Sequence, residues 1–268
     1  MDSNTVRERF VRFFESRAHL SASSSSLVVQ GDPSVLLTSA GMQQFKPFYL
    51  DPSRAPSRRA VTIQKCMRTS DIEEVGDDTH HTFFEMLGNF AFGGADHGGY
   101  FKQEAIAFAY DFVTQELGLP VEKVWATTWS GEPGIPADEE AVGFWIAAGM
   151  PMSRIRGLNR KPDGSRENFW GPTGDSGPCG PCSELHVDML GSCPRGASDA
   201  ECGPGHECGR FVEIWNLVFN QFYQEADKSL HPLEHTGIDT GAGLERIVAI
   251  LQGAQSAYET DLFRPIVA

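Results

Sequence analysis

Two stretches of sequence decide the fold: residues 61–68, VTIQKCMR, and residues 80–87, HHTFFEML. Apolar and polar residues alternate in both stretches, as they do in half-buried β-strands, and a short acidic segment joins them. The pattern therefore predicts two antiparallel strands connected as a hairpin.

The side chains of this hairpin form a candidate binding face. Alternate residues of a strand share one face, so His80, Phe84 and Met86 lie together opposite the strand that ends in Arg68. A guanidinium beside an aromatic ring suits a flat, charged ligand, because the guanidinium binds phosphate and the ring stacks on a base. From parity alone, the simpler interpretation is favoured: a surface hairpin with a half-buried aromatic face.

The elements around the hairpin indicate the fold class. Apolar residues at helical spacing predict helices over residues 4–17 and 102–117, from Asp138 through Ile146, and over 244–251. Residues 211–223, FVEIWNLVFNQFY, predict a long strand, and the Gly-, Pro- and Cys-rich region 157–210 is predicted to be mostly loop. Hairpins rather than regular βαβ alternation predict an α+β fold with an antiparallel sheet flanked by helices.

A glycine-rich segment near the C-terminal end is a second candidate site. Residues 237–246, GIDTGAGLER, predict a strand end, tight glycine turns and then a helix that carries Arg246. The segment has neither the GxGxxG pattern of dinucleotide-binding folds nor the GK[ST] of a P-loop, so neither chemistry is indicated. A glycine-led helix start is common, and alone this signal is weak.

The composition is that of an ordinary globular protein, with 268 residues, 40% hydrophobic and 22% charged. It excludes a disordered chain, a collagen-like chain and a disulfide-stabilised miniprotein. No apolar run reaches the roughly 18–20 residues of a membrane span, and the N-terminus lacks a signal peptide, so we expect a cytoplasmic location and no membrane partner. The formal net charge of −14 leaves RNA binding to a local patch or to other parts of a protein.

Taken together, the motifs are specific. An Arg on one antiparallel strand, His-x-x-x-Phe on the next and Gly-x-Gly-x-Glu-Arg at a helix start are similar to motifs 2 and 3 of the class II aminoacyl-tRNA synthetases. Within that class the sequence resembles the alanyl-tRNA synthetases over nearly the whole chain, in the blocks TSAGMQQFKPF (38–48), HHTFFEMLGNFAFG (80–93), NFWGPTGDSGPCGPCSE (168–184), EIWNLVFNQF (213–222) and IDTGAGLERI (238–247).

The resemblance implies a site that binds ATP, Mg²⁺ and L-alanine, forms alanyl-adenylate and transfers alanine to tRNA(Ala). It implies catalytic roles for Arg68, which would neutralise the α-phosphate, for Arg246, which would stack on adenine, and for Asp239, which would receive the substrate ammonium. His80 and Phe84 would hold the phosphates and the adenine. The other alanine-binding residues that it implies are Met86, Trp170, Asn216, Val218 and Gly241.

Glu213 is the implied Mg²⁺ ligand. Together with Asn216 it fits the class II pattern for holding the metal on the β- and γ-phosphates. Residues three apart on a regular strand face opposite sides of the sheet. Both side chains therefore reach one site only if a β-bulge or a strand end lies between them.

Five of the six cysteines fall within residues 179–208. In a cytoplasmic chain they are expected to be thiols or metal ligands rather than disulfides. Cys179 and Cys182 lie in predicted Gly-Pro turns, and we expect them to be structural. A tetrahedral Cys₃His zinc site is one interpretation of the next group, which comprises Cys193, Cys202, His206 and Cys208. A mobile insertion with free thiols is the other, because the spacings are irregular.

We expect residues 1–268 to form one catalytic domain with a Cys-rich insertion at about 190–210, without the tRNA-binding, editing and C-terminal segments of full-length family members. The loop after Arg68 departs from the family, because Thr69-Ser-Asp71 is short and lacks a lysine found in many members. Two other functions stay open. One is a relative that loads an amino acid onto a carrier other than tRNA, and the other is a non-catalytic module that binds ATP or RNA.

Overall fold

The computed structural model describes residues 1–29, 35–69, 75, 80–161, 164–172 and 174–267. Within these residues nine strands form one sheet in the spatial order β1-β2-β3-β9-β8-β7-β4-β5, with β6 paired to β7. Their bounds are β1 (Leu20–Ala22), β2 (Arg59–Met67), β3 (Phe83–Phe92), β4 (Val124–Trp129), β5 (Ile155–Leu158), β6 (Phe169–Trp170), β7 (Gly177–Asp188), β8 (Phe211–Gln224) and β9 (Leu230–Gly243).

The sheet is antiparallel except at its two edges. The pairs β1–β2 and β4–β5 are parallel, whereas the pairs from β2 across to β4 are antiparallel. The predicted α+β class is confirmed, and the prediction of an antiparallel sheet is corrected at these two edge pairs.

The helices are α1 (Ser3–Glu15), α2 (Lys46–Leu50), α3 (Lys102–Asp111), α4 (Glu139–Ala147), α5 (Leu244–Gln252) and α6 (Arg264–Val267). A π-helical turn, Phe112–Glu116, continues α3. Three of the four helices predicted from apolar spacing are confirmed to within two residues at each end, and the fourth, predicted over 102–117, is α3 together with the π-helical turn. Short 3₁₀ turns lie at Gly41–Phe45, Pro52–Arg54, Ala95–His97, Val121–Lys123, Met152–Arg154 and Ala257–Glu259.

The main hydrophobic core lies on one face of the sheet, beneath α1, α3, α4 and α5. Helix α1 contributes Phe10 and Phe14 from one side of the helix, and both pack with Trp215 of β8. These three side chains are 0% exposed. Aromatic burial of this size stabilises the packing of the helices on this face.

Among the described residues, the opposite face is thinly covered, mainly by the short Gly41–Phe45 turn and α2. Phe45 and Tyr49 pack there on Phe90 and Phe92 near the far end of β3. Because side chains alternate along a strand, the residues of β3, β8 and β9 that do not enter the main core point to this face. The open part of this face forms the candidate site.

Region 157–210 contains more strand than its sequence indicates. It holds β5 in part, β6 and the whole of β7, which pairs with both β8 and β4. Cys179 and Cys182 lie in β7 and are buried, so the prediction that they occupy turns is wrong. Gly180 allows this strand to pass close to β8, because a Cβ there would stand 2.0 Å from the carbonyl oxygen of Phe219.

Two further observations concern the described part of the chain. Within it, no helix combines the length and the apolar composition that a bilayer span requires. Asp71 and most of the loop between β2 and β3 lie outside the described residues, and so does the predicted shortening of that loop.

Candidate active site

A cavity of about 260 Å³ opens on the thinly covered face of the sheet. The sheet brings together segments that are distant in the sequence, because β3, β9 and β8 are neighbours. Every residue proposed from the sequence for ATP or alanine lines this cavity: Arg68, His80, Phe84, Met86, Trp170, Glu213, Asn216, Val218, Asp239, Gly241 and Arg246.

The predicted parity of the hairpin is confirmed. Cys66 pairs with Phe84 and Gln64 pairs with Met86, so these four side chains share a face. Cys66 and Gln64 are 0% exposed, and β3 is covered on its other edge by β9. The interpretation of a surface hairpin is therefore wrong, since the hairpin lies inside the sheet and forms a wall of the cavity.

Arg68 follows β2 directly and is held at two points. Its backbone N–H donates to the carbonyl of Thr82 at 2.9 Å, and its Nε donates to the carbonyl of Ser39 at 3.0 Å. Its guanidinium carbon lies 5.1 Å from the centroid of the Phe84 ring. The guanidinium of Arg68 and the ring of Phe84 therefore lie together at the cavity, an arrangement that suits a ligand in which a phosphate is linked to a base.

A β-bulge brings Glu213 to the cavity. Two consecutive residues of β7 pair with Trp215 and Glu213, so Ile214 is an extra residue in β8. Trp215 lies in the core and Ile214 is a core residue that also borders the cavity, whereas the polar side chains Glu213 and Asn216 both line the cavity. The bulge that the sequence analysis required is present. Nη1 of Arg246 donates to the carbonyl of Glu213 at 3.0 Å and lies 3.6 Å from its carboxylate.

Asp239 carries a buried carboxylate at the floor of the cavity. It is 6% exposed, and the described residues place no hydrogen-bond donor or cation on it. Burial raises the pKa of Asp239 to about 7, because an ionised carboxylate without a partner is poorly solvated there. A cationic group that enters the cavity and pairs with Asp239 would offset this desolvation.

The space beside Asp239 is narrow and largely apolar. Val218 pairs with Asp239 and Asn216 pairs with Gly241 in the β8–β9 register. A Cβ at Gly241 would stand 2.7 Å from the sulfur of Met86. Met86 therefore packs against the backbone of Gly241 and limits the space next to the Asp239 carboxylate.

The prediction of tight turns in the glycine-rich segment is wrong. Strand β9 runs through Gly243, and α5 begins at Leu244 without an intervening loop. Gly237 permits close packing, since a Cβ there would lie 2.6 Å from the Tyr49 ring and 2.8 Å from the carbonyl oxygen of Ala91. The glycines of β9 allow neighbouring groups to pack directly against the strand. Because α5 begins at Leu244, Arg246 lies in the first turn of this helix.

The cavity also includes residues that the sequence analysis missed, namely Ala40, His81, Ile214, Gly243 and Glu245. Glu245 precedes Arg246, and its carboxylate accepts a hydrogen bond of 2.9 Å from the backbone N–H of Glu85. Burial raises the pKa of Glu245 to about 7. Its adjacency to Arg246 in a helix start was an available signal, whereas nothing in the local pattern marks Ala40.

The second predicted cluster is assembled beyond the cavity, in the connection between β7 and β8. Its ligand atoms, from Cys193, Cys202, His206 and Cys208, lie within 4.8 Å of one another. The sulfurs of Cys202 and Cys208 are 3.7 Å apart, and two thiolates on a tetrahedral zinc with Zn–S bonds of about 2.3 Å lie about 3.8 Å apart. Nδ1 of His206 is buried, and the described part of the chain gives it no hydrogen-bond partner. The donor set therefore fits zinc.

Solved structures support the fold. The chain superimposes on pyrrolysyl-tRNA synthetase from Desulfitobacterium hafniense with a TM-score of 0.52 at 10% identity, covering 97% of this chain and 72% of the other. A structure described as the RNA-binding domain of threonyl-tRNA synthetase from Cryptosporidium parvum matches with a TM-score of 0.54 at 12% identity, covering 94% and 64%. At these identities the likeness concerns the fold alone.

Comparison of sequences finds relatives at much higher identity than these solved structures. The chain is 52% identical over 271 residues to an alanine–tRNA ligase of Rubrobacter xylanophilus, covering all of this chain and 30% of that protein. It is 48% identical over 265 residues to an alanine–tRNA ligase of Dehalococcoides mccartyi, covering 99% and 28%. The chain thus spans under a third of the length of these curated relatives. The sequence model of the family described as tRNA synthetases class II (A) matches residues 5–268. The cavity, the sheet and this match agree, and the chain belongs to the class II (A) tRNA synthetases.

Proposed function

We propose that this chain activates L-alanine with ATP to form alanyl-adenylate, as the catalytic part of an enzyme that transfers alanine to tRNA(Ala). The observation that carries the proposal is the buried carboxylate of Asp239, which has no partner among the described residues, beside a narrow space walled by Gly241, Met86 and Val218. A carboxylate suits the α-ammonium group of an amino acid, and the narrow space suits a methyl side chain. Relatives named alanine–tRNA ligase, about half identical to this chain, support the same substrate.

ATP would occupy the part of the cavity between the hairpin and α5. Arg68 would neutralise the α-phosphate, and His80 would contact the phosphates. Phe84 of β3 and Arg246 of α5 line the cavity from different elements, and they would stack on opposite faces of the adenine. Trp170, Val218 and Met86 would enclose the alanine methyl group.

The residues at Glu213 fit Mg²⁺ brought in with ATP. Magnesium in nucleotide sites is held by one or two carboxylates together with phosphate oxygens and water. Glu213 supplies one carboxylate at the cavity wall, next to Arg246. The ion would add positive charge on the β- and γ-phosphates, which favours the departure of pyrophosphate.

The chemistry requires placement rather than proton transfer. A carboxylate oxygen of alanine attacks the α-phosphorus in line, a new C–O–P linkage forms, and the bond to the β-phosphate oxygen breaks to release pyrophosphate. The negative charge that develops on the α-phosphate faces the guanidinium of Arg68. Asp239 holds the ammonium group, so the carboxylate of the same molecule is directed toward the phosphate.

ATP–pyrophosphate exchange and tRNA charging test this proposal. We expect exchange that depends on alanine from the chain, and aminoacylation of tRNA(Ala) from the whole protein of which it is a part. Exchange with alanine but charging of another carrier would place the protein among synthetase relatives with a different acceptor. Absence of alanine-dependent exchange, with ATP still bound, would instead indicate a non-catalytic ATP- or RNA-binding module and overturn the proposal.

The domain assignment and the location belong to the same proposal. Residues 1–268 would be the catalytic domain, with the segment at about 190–210 as an insertion between β7 and β8. Contacts to tRNA would come mainly from segments outside these residues, because the chain itself carries a formal charge of −14. A cytoplasmic location follows from the substrates, ATP and tRNA.

We also propose that the insertion binds one zinc ion through Cys193, Cys202, His206 and Cys208. The spacing of the four ligand atoms and the unpartnered Nδ1 of His206 support it. The ion would be structural, because a site with four protein ligands leaves no open position for a substrate.

A further inference from the structure

A row of paired residues crosses the sheet beside the cavity. Thr127 of β4 pairs with Glu184 of β7, Glu184 pairs with Asn216 of β8, and Asn216 pairs with Gly241 of β9. Directly paired residues of neighbouring strands point to the same face. Glu184 therefore lies on the face of the cavity, immediately behind Asn216.

Hydrogen bonds hold Glu184 as an acceptor at both carboxylate oxygens. Nδ2 of Asn216 donates to Oε1 at 2.9 Å, and Oγ1 of Thr127 donates to Oε2 at 3.2 Å. The Thr127 hydroxyl accepts a hydrogen bond of 2.7 Å from Nδ2 of Asn168, so its single proton is directed to Glu184. Nε2 of His186 lies 3.2 Å from the same Oε2.

This carboxylate decides which way the Asn216 amide points. Oδ1 of Asn216 is buried and has no hydrogen-bond partner among the described residues, an arrangement that carries a desolvation cost. A flipped amide would place Oδ1 against the Glu184 carboxylate, where two acceptors repel each other. Glu184 thus imposes an orientation that the surroundings of Oδ1 do not favour.

The imposed orientation gives the cavity a donor. Asn216 is half-buried and lines the cavity, and since Oδ1 is buried, Nδ2 is the polar atom that it can present there. Nδ2 has two protons and donates one to Glu184; the Asn216 amide also contacts the buried Cys182 thiol, a weaker acceptor than a carboxylate. We infer that Glu184 is a positioning residue for adenylate formation: it fixes the Asn216 amide so that its second N–H holds the carboxylate of the amino acid. This inference rests on the proposed function.

A double-mutant cycle of Glu184→Gln and Asn216→Ala tests the inference by ATP–pyrophosphate exchange. A glutamine at position 184 can donate a hydrogen bond to Oδ1 and so favours the flipped amide. We expect Glu184→Gln to raise KM for alanine about 10-fold or more and to leave KM for ATP within about twofold. In the Asn216→Ala background the same change should add nothing, because its effect acts through Asn216. Glu234→Gln, at a side chain that is 88% exposed, is the matched control.

Each outcome decides the matter. If the unmodified protein shows alanine-dependent exchange and Glu184→Gln leaves KM for alanine within about twofold, or if the two effects multiply, the positioning role is wrong. If the unmodified protein shows no alanine-dependent exchange, the proposed function fails and the inference fails with it. If Glu184→Gln does not fold, Thr127→Val takes its place, with an expected rise in KM for alanine of about 2- to 5-fold that is absent in the Asn216→Ala background.

Discussion

The sulfur of Met86 closes the cavity against the backbone of Gly241, at 2.7 Å from the position that a Cβ on Gly241 would occupy. The width of the space beside Asp239 is therefore set by the Met86 thioether, which packs on β9 at Gly241, where the strand carries no side chain. A contact under 3 Å has no room for an added methyl group unless Met86 moves.

Gly241→Ala should therefore impair binding of the amino acid more than binding of ATP. We expect KM for alanine to rise about 10-fold or more, because overpacking of this kind typically costs about 1–3 kcal/mol, and KM for ATP to stay nearly unchanged. Exchange kinetics measured against each substrate separate the two. Gly143→Ala is the control, since nothing lies within 4 Å of its Cβ in α4. Wild-type kinetics for Gly241→Ala would show that this wall does not bound the amino-acid site.

The raised pKa of Asp239 predicts the pH dependence of alanine use. Only the ionised carboxylate pairs with the ammonium group, and its pKa in the free protein is about 7. As the pH falls below 7 the carboxyl group becomes protonated, so kcat/KM for alanine should fall, approaching about 10-fold per pH unit. The ammonium group stays charged over this range and contributes no slope.

The Asp239→Asn variant identifies the group responsible. It should have a high KM for alanine at every pH and should lack the acidic limb of the profile. Glu245 also lines the cavity with a pKa of about 7, so Glu245→Gln is the matched variant and should retain that limb. If the acidic limb persists in Asp239→Asn and disappears in Glu245→Gln, the titrating group is Glu245 and the role given to Asp239 is wrong.

Sequence patterns predicted the hairpin because its strands alternate, and β8 because it is rich in aromatic and β-branched residues. They did not predict β7, where Gly-Pro-Cys-Gly-Pro-Cys has the composition of turns. Gly180 lies in a strand because only glycine fits against the Phe219 carbonyl, and a register shift separates Cys179 from Cys182. Such close approaches depend on a partner strand far away in the sequence, so local composition cannot show them.

The same limit applied to the site. The parity argument placed Arg68 beside Phe84, and the resemblance named the residues of the amino-acid pocket. Whether Glu213 and Asn216 share a face depended on a bulge at Ile214, which is visible only in the pairing of β8 with β7. Glu184 gave no signal at all, since its importance comes from the Asn216 amide across the sheet.

Metal analysis tests the cysteine cluster. Protein purified without chelators should contain about one zinc per chain. Cys202→Ala should lower this content and the thermal stability, because four-ligand zinc sites contribute to folding free energy. Cys179→Ala, a buried cysteine of β7 outside the cluster, should retain the metal. A metal-free preparation with unchanged stability would favour a loop with free thiols.

Arg68→Ala should reduce exchange by about 100- to 1000-fold, since a charge-assisted contact to the transition state would be lost. The fold should persist, because the hydrogen bonds between β2 and β3 do not require the side chain. Circular dichroism and melting temperature check the fold, and Arg68→Lys, which keeps the charge without the planar fork, should be intermediate. Exchange within about threefold of wild type would remove Arg68 from the reaction.

Exchange kinetics with alanine, glycine, serine, valine and leucine test the central claim most directly. Asp239 holds any α-ammonium group equally, so discrimination rests on the wall formed by Met86, Trp170, Val218 and Gly241. Alanine should have the highest kcat/KM, and glycine, which lacks one methyl contact, should be lower by about 10- to 200-fold. Serine should be activated measurably, because an apolar pocket rejects an added hydroxyl only weakly. Valine and leucine should fail through overpacking. A preference for valine, or exchange that does not depend on the amino acid, would contradict the account.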